Sequence, residues 1–109
     1  MRIWDLAPQK LCRQHLLGEH RELHAIWSVL KHNKKGYSRH PETLRWKGKM
    51  AALYARHHQL VHEMKLRGYN HQSPLDVKLA KGRTKQNVFI QSRMQQKEIL
   101  RGKKCGCTV

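Results

Sequence analysis

A helical repeat of apolar side chains is the feature that most constrains the fold of this 109-residue chain. At 100° per residue, the apolar positions between residues 12 and 30 project into one arc of about 100°. These positions are Cys12, Leu16, Leu23, Ile26, Trp27 and Leu30. An arc of this width is typical of the buried face of an amphipathic helix, and Pro8 suits the first turn. The pattern therefore predicts a helix over about residues 8–33.

Two further stretches repeat with helical spacing, and no stretch alternates with the period of a β-strand. The second predicted helix covers about residues 47–67 and ends at Gly68, because glycine commonly follows the last turn of a helix. The third predicted helix is weaker and covers about residues 84–101. Its apolar positions include Val88, Phe89 and Met94.

The connections between these helices are basic or polar. Residues 34–42 contain Gly36 and Pro41 and are predicted to form a basic loop, and residues 70–82 form a second, polar one. A chain of this length builds one domain. We therefore expect an all-α fold, a single compact domain over residues 1–109, with three helices joined by long basic loops.

The chain carries a large excess of positive charge. It has 23 Lys and Arg against seven Asp and Glu, a net charge of +16. The cations concentrate in residues 31–49 and 78–104, each of which contains a single acidic residue. Blocks of one sign indicate a surface for nucleic acid or an anionic membrane, whereas a solvated surface mixes signs. Nucleic acid is favoured, and the residues expected to contact phosphates are Arg39, Arg45, Lys85 and Arg93.

Hydropathy and cysteine usage indicate the cellular compartment in which the protein is expected. A mean hydropathy of −0.82 and the lack of a long apolar run exclude a membrane span. No apolar stretch follows Met1 and Arg2, as a signal peptide would require. Three cysteines imply no disulfide framework. A cytoplasmic protein is expected.

Histidine and cysteine pairs raise the question of a metal. His20 and His24 share one helix face, and so do His58 and His62, while Cys105 and Cys107 lie near the end of the chain. These pairs are fragments without the remaining ligands of known zinc motifs. The isolated glycines form no phosphate-binding loop. We therefore expect neither a metal nor an organic cofactor.

Glu22 is the acidic residue whose position suggests chemistry. In helical projection it lies beside the apolar arc, and the residues one turn away on either side, Gly18 and Ala25, are small. A ligand could therefore approach its carboxylate closely. The alternative is a surface acid paired with Arg21 or a lysine.

Several short motifs resemble the phage-type pyrimidine-dimer DNA glycosylases, which are also abasic-site lyases. The motifs are Arg2-Ile3, Gln14-His15-Leu16, Arg21-Glu22-Leu23 and Arg67-Gly68-Tyr69, the last standing where the family has Arg-Gly-Phe. The family has a three-helix, all-α fold. In it the α-amine of the N-terminal residue attacks the sugar C1′ of a damaged nucleotide, a Schiff base forms, the base leaves and β-elimination cuts the strand.

The resemblance implies roles for individual residues. Met1 would supply the amine and Glu22 the essential carboxylate. Arg2, Gln14, His15 and Arg21 match residues that contact DNA around the lesion or line the site. The resemblance also implies double-stranded, damaged DNA as the partner, flipping of the damaged nucleotide, no cofactor, and a monomer associated with the nucleoid of a bacterial or phage-infected cell.

Three departures from the family pattern leave alternatives open. Arg2 follows Met1 where the family exposes a Thr, Ala25 replaces a family arginine, and residues 102–109 replace an aromatic segment that helps recognise the dimer. The lesion could be a pyrimidine dimer, another damaged base or an abasic site alone. A non-catalytic DNA- or RNA-binding module and a ribosome-associated protein also fit the charge. A binding module would tolerate an N-terminal extension, whereas an amine nucleophile would not.

Overall fold

The computed structural model describes residues 2–32, 40–70, 74–103 and 106–108. These residues form four α-helices and two single turns of 3-10 helix, with no β-strand among them. The helices are α1 (Arg13–His32), α2 (Pro41–Trp46), α3 (Met50–Leu66) and α4 (Arg93–Gly102), and the 3-10 turns are Pro8–Lys10 and Val77–Leu79. The all-α prediction is confirmed. None of the described helices has the length and hydropathy that a bilayer-spanning segment requires.

The core lies mainly between α1 and α3. The predicted arc of α1 is buried as expected at Leu16, Leu23, Ile26 and Trp27, all at most 5% exposed. It packs with Leu53, Leu60 and Met64 of α3 and with Leu100 of α4. Three residues that precede the helices, Ile3, Trp4 and Leu6, belong to the same core. The start of the chain is therefore an internal part of the fold.

Two predicted helix boundaries were wrong in informative ways. The first helix begins at Arg13 rather than near Pro8, because Pro8 starts a separate 3-10 turn and Leu11 after it is extended. The third begins at Arg93 rather than near residue 84. Ser92 forms a capping box with Gln95, which fixes the start of α4 there. The predicted core residues Val88 and Phe89 consequently lie outside the helix and are 49% and 39% exposed.

The short helix α2 lies at the end of what was predicted as a basic loop. The side chain of His40 accepts a hydrogen bond from the Glu42 N–H, and Pro41 occupies the first turn, two features that favour a helix start. Residues 34–39 of the predicted loop, including Gly36, lie outside the described residues. Residues 41–46 form a further helix that periodicity did not reveal.

The polar segment after α3 crosses the start of that helix. Gly82 pairs with Lys49 as an isolated bridge, and its backbone has a φ of +89°. A Cβ atom at this position would collide with the carbonyl oxygen of Gly48. The carbonyls of Lys81 and Arg83 accept the N–H groups of Ala51 and Ala52, which the helix itself leaves unpaired.

Candidate active site

One cleft gathers most of the residues that the sequence predicted for the catalytic site. It has a volume of about 350 Å³ and lies where the first residues of the chain meet α1 and α4. Its lining includes Arg2, Trp4, Gln14, His15, Gly18 and Glu22, and we call it the Glu22 cleft. A Cβ atom built at Gly18 meets no other atom within 4 Å, so there is open space beside Glu22. The predicted small residue thus leaves room for a ligand.

Residues 2–6, which we call the N-terminal segment, are held by side chains through their backbone. The Ile3 N–H donates to Oε1 of Glu42 at 3.2 Å, and the Ile3 carbonyl accepts from Nη2 of Arg45 at 2.9 Å. Glu42 is 4% exposed and Arg45 is 6% exposed. Buried charged groups stabilise a fold only when they are paired and hydrogen-bonded, and these two are.

A second buried ion pair holds the next residues of the segment. The Trp4 N–H donates to Oε1 of Glu19 at 2.8 Å, and the Leu6 carbonyl accepts from Nη1 of Arg56 at 2.8 Å. Glu19 and Arg56 contact each other through two further hydrogen bonds of 2.7 and 3.1 Å. Burial raises the pKa of the Glu19 carboxyl, and the Arg56 guanidinium opposes that shift. The pair connects the N-terminal segment to both α1 and α3.

Side chains of α4 hold the middle of the segment. The Asp5 N–H donates to Oε1 of Gln96 at 2.8 Å, and Nε2 of Gln96 donates to Oδ2 of Asp5 at 3.0 Å. Nε of Arg93 donates to the Asp5 carbonyl at 3.1 Å. All four helices therefore fix the N-terminal segment. Chain termini are poorly ordered unless they are tied down, and this one is tied at Ile3, Trp4, Asp5 and Leu6.

The sequence match covers the part of this arrangement that precedes α4. The family model of the pyrimidine dimer DNA glycosylases matches residues 1–77, which include the N-terminal segment and helices α1 to α3. The chain belongs to the pyrimidine dimer DNA glycosylase family. No curated protein and no solved structure matches it. The family assignment identifies DNA as the substrate class and confirms the resemblance predicted from the motifs of α1.

In this glycosylase Arg45 does not lie where the sequence analysis expected it. We predicted a phosphate contact, but the Arg45 guanidinium is buried between Asp5 and Glu42 and also donates to the carbonyls of Ile3 and Val88. Its donors are occupied by protein acceptors, and the group does not face solvent. The DNA-binding assignment of Arg45 therefore does not fit this structure, and the residue has a structural position instead.

The other predicted DNA-contacting residues are divided between the cleft and the outer surface. Arg2, Gln14 and His15 line the Glu22 cleft, and the Arg2 guanidinium lies 4.7 Å above the ring of Trp4. Arg21, Lys85 and Arg93 are exposed and do not line it. Met1 and Arg39 lie outside the described residues. The structure thus brings four predicted residues together, with Glu22 among them.

A second cavity is lined in part by Trp4, Asp5 and Leu6 of the N-terminal segment. It has a volume of about 430 Å³ and is lined by Lys10, Phe89, Arg93 and Lys97 among others. The proximity of Lys10, with smaller contributions from Arg101 and Arg93, lowers the pKa of Lys97. A cluster of like charges repels itself and attracts anions, so this surface is suited to phosphate groups.

His15 lies between the Glu22 cleft and the end of the chain. Its ring meets the Trp4 ring edge-on at 5.7 Å, while Nδ1 lies 3.1 Å from Sγ of Cys12 and 3.4 Å from Sγ of Cys107. Burial, followed by the charge of Lys103, lowers the pKa of His15. Cys12, His15 and Cys107 form one group that could hold a metal ion, and His20, His24 and His57 form another. No metal was expected from the sequence, because the third ligand of each group is far from the other two along the chain: 95 residues separate Cys12 from Cys107, and 33 separate His24 from His57.

Sequence reasoning missed the buried charged residues that fix the N-terminal segment. One of them, Glu19, could have been identified from the sequence, because it falls within the apolar arc of α1 and lies between Leu16 and Leu23 in the chain. A carboxylate on a core face requires a cationic partner. That partner, Arg56, lies 37 residues away. Only the tertiary structure identifies it.

Proposed function

We propose that the protein is a damage-specific DNA glycosylase and abasic-site lyase that uses the α-amine of Met1 as its nucleophile. The observation that carries the proposal is the fixation of the N-terminal segment by side chains of all four helices, directly beside the Glu22 cleft. A binding module has no need to fix the beginning of its chain with buried ion pairs. An enzyme whose nucleophile is an α-amine does.

The proposed reaction begins with attack of the neutral amine on C1′ of the damaged nucleotide. An α-amine has an ordinary pKa of about 7.7–8.0, so a substantial fraction is neutral near pH 7.5. Arg2 is adjacent in sequence and lines the cleft, and a nearby cation favours the neutral amine further. The nitrogen–C1′ bond forms as the bond from C1′ to the base breaks, and the base leaves with that electron pair and takes up a proton. The C1′–O4′ bond then breaks, O4′ takes up a proton and the amine nitrogen loses one, which gives the Schiff base. β-Elimination removes a proton from C2′ and breaks the bond from C3′ to its phosphate oxygen, so the strand is cut on the 3′ side.

Glu22 is proposed as the group that stabilises developing positive charge and transfers protons in the cleft. Its carboxylate can stabilise positive charge that develops on the sugar when the base leaves. It can also accept and return protons during imine formation and elimination. Gly18 keeps the space beside it open for the sugar. Gln14 and His15 line the same cleft and are proposed to position the DNA around the lesion.

The substrate is proposed to be double-stranded DNA with a damaged nucleotide turned out of the stack. A glycosidic bond inside a duplex is not accessible to a cleft of this kind, so the nucleotide must leave the helix. Exposed cations, including Arg21, Lys85 and Arg93, are proposed to bind phosphates, with Arg39 from outside the described residues. The family assignment favours a pyrimidine dimer as the lesion.

Borohydride trapping tests the mechanism because it reduces the Schiff base to a stable protein–DNA adduct. Duplexes with an abasic site, a cyclobutane pyrimidine dimer or no lesion are incubated with the full chain, and peptide mapping locates the adduct. We expect the adduct on Met1 with damaged duplexes. An adduct on a lysine, or none with either lesion, would contradict the proposal.

Two matched variants separate chemistry from charge. Glu22→Gln should lower strand cleavage by about 100-fold or more while DNA binding is retained. Glu98→Gln removes the same charge from an exposed position on α4 and should cleave at the parental rate. One residue added before Met1 should abolish the adduct. If the extended protein and Glu22→Gln both cleave abasic DNA at the parental rate, neither Met1 nor Glu22 carries the reaction and the proposed mechanism is wrong. If the unaltered chain binds duplex DNA but cleaves none of the three substrates, it is a basic binding module instead.

A further inference from the structure

The end of the chain returns to the beginning of α1. The Thr108 N–H donates to the Lys10 carbonyl at 2.8 Å, and Cys107 is partly buried against the core. The Cys12 N–H donates to Sγ of Cys107 at 3.0 Å across a separation of 95 residues. These contacts bring the sulfur atoms of Cys12 and Cys107 to the same ring nitrogen of His15.

Two sulfur atoms approach the same nitrogen atom, and hydrogen bonding uses this arrangement poorly in either tautomer of His15. Nδ1 lies 3.1 Å from Sγ of Cys12 and 3.4 Å from Sγ of Cys107. As an acceptor, Nδ1 has a single lone pair for two thiols, and as a donor it shares one N–H between two weak sulfur acceptors. A cation between the three atoms would bind all of them.

The distances agree with the dimensions of a tetrahedral zinc site. With Zn–S of about 2.3 Å and Zn–N of about 2.0–2.1 Å, a sulfur and a nitrogen on one zinc ion stand about 3.5 Å apart. All three ligand atoms lie within 4.8 Å of one another. Two thiolates and an imidazole form a soft donor set that favours zinc over magnesium or calcium.

We infer that Cys12, His15 and Cys107 bind a zinc ion that ties the C-terminal residues to the start of α1, beside the Glu22 cleft. The fourth position of the tetrahedron is left to water or another donor. The assignment does not depend on the proposed glycosylase reaction. The zinc site would give His15 two roles, because its ring lines the Glu22 cleft while its Nδ1 atom faces the two sulfur atoms.

The histidine group His20, His24 and His57 is the competing metal site in the described residues. Its Nε2 atoms approach to 3.2 Å, which also fits zinc. However, the three rings contact one another at centroid distances of 4.6 to 5.1 Å, and this ring packing accounts for their proximity without an ion. The cysteine group offers two thiolates and one imidazole, which is the softer donor set, and we therefore assign the zinc there.

Zinc content per chain tests the assignment. The full chain is produced with zinc in the medium, dialysed under reducing conditions, and analysed for metal by mass spectrometry. We expect one equivalent of zinc that is lost in Cys12→Ser and in Cys107→Ser. Because loss of a second-shell partner already weakens zinc by about 10–100-fold, loss of a ligand should weaken it by about 100-fold or more. His24→Gln, in the competing group, and the exposed His62→Gln should retain this equivalent.

Two measurements on the unaltered protein keep the test valid if a cysteine variant fails to fold. Cobalt substitution should give thiolate-to-cobalt charge transfer and the visible bands of a tetrahedral ion. The intensity of the charge-transfer band should correspond to the two thiolates of Cys12 and Cys107. Removal of zinc with a chelator should lower Tm by about 10 °C or more, as expected for release of a ligand bound far above its Kd.

Several results would overturn the assignment. Zinc that survives both cysteine substitutions, or that is lost from His24→Gln alone, would place the metal elsewhere. A Cys12–Cys107 disulfide in the unaltered, air-exposed protein, found by non-reducing peptide mapping, would show that the two sulfurs converge for a covalent bond. Protein that contains no zinc and binds no cobalt would show that no metal is held. None of these results would affect the α-amine mechanism, which is tested by trapping.

Discussion

Arg45→Ala is expected to destabilise the fold, in contrast to the surface contact that the charge pattern suggested. The Arg45 guanidinium lies 2.6 Å from Glu42 and 3.1 Å from Asp5, and the residue is 6% exposed. Without it, Glu42 keeps hydrogen bonds from the N–H of Ile3 and the indole of Trp46 but loses its cation. Removing one partner of a buried ion pair costs about 3–5 kcal/mol.

That loss is a large share of the total stability of a small domain, which is about 5–15 kcal/mol. At about 4 °C per kcal/mol, Tm should fall by about 12 °C or more. Urea unfolding followed by tryptophan fluorescence measures the change directly, because Trp46 contacts both Glu42 and Arg45. The N-terminal segment should loosen as well, since Arg45 holds the Ile3 carbonyl.

Lys85→Ala is the matched control, because Lys85 is an exposed cation of the same basic chain. Its free energy of unfolding should stay within about 0.5 kcal/mol of the parent, while DNA binding weakens. DNA affinity of Arg45→Ala is measured at a temperature where the variant is fully folded. If Arg45→Ala unfolds within about 1 kcal/mol of the parent yet binds DNA as weakly as Lys85→Ala, the structural role is wrong and the phosphate contact stands.

Three further predictions concern other parts of the fold. Gly82→Ala should lower the free energy of unfolding by more than about 1 kcal/mol in chemical denaturation, because φ is +89° and the new methyl group would meet the Gly48 carbonyl. Gly102→Ala at the end of α4 is the control, because its methyl group would meet nothing within 4 Å, and it should not destabilise the protein. Glu19→Ala should cost about 3–5 kcal/mol, and Glu19→Leu combined with Arg56→Met should recover most of that loss; an equal loss in both proteins would contradict the burial argument. Duplex affinity should fall with salt at a log–log slope of about −5 to −7, for roughly six to eight phosphates, and a slope near zero would refute electrostatic binding.

Periodicity predicted the parts of the fold that depend on residues close in sequence. The apolar arc placed α1 correctly because Leu16, Leu23 and Ile26 repeat over several turns on one face. The region 84–92 was assigned wrongly because Val88 and Phe89 mimic a helical face over a short distance. The decisive local signal was Ser92, three residues before Gln95, which form a capping box.

The candidate site could also be predicted only where its residues are close together in the sequence. Motifs on α1 identified Glu22 and two residues that line its cleft, Gln14 and His15, and a third motif before the helix identified Arg2. Two of the ion pairs that fix the N-terminal segment, Asp5–Arg45 and Glu19–Arg56, join residues 40 and 37 positions apart. The charge pattern of the sequence cannot distinguish a buried cation such as Arg45 from an exposed cation such as Lys85. Burial decides which of them is available to DNA.

The bonds of the N-terminal segment also impose an order of events on folding. They span 39 residues from Ile3 to Glu42, 50 from Leu6 to Arg56 and 91 from Asp5 to Gln96. Contacts of such long range form late, because the entropy of closing a long loop must be met first. During synthesis residues 3–6 therefore leave the ribosome long before their partners do. The Glu22 cleft cannot be completed until α4 has emerged, so helices α1 to α3 are all synthesised before the site can assemble.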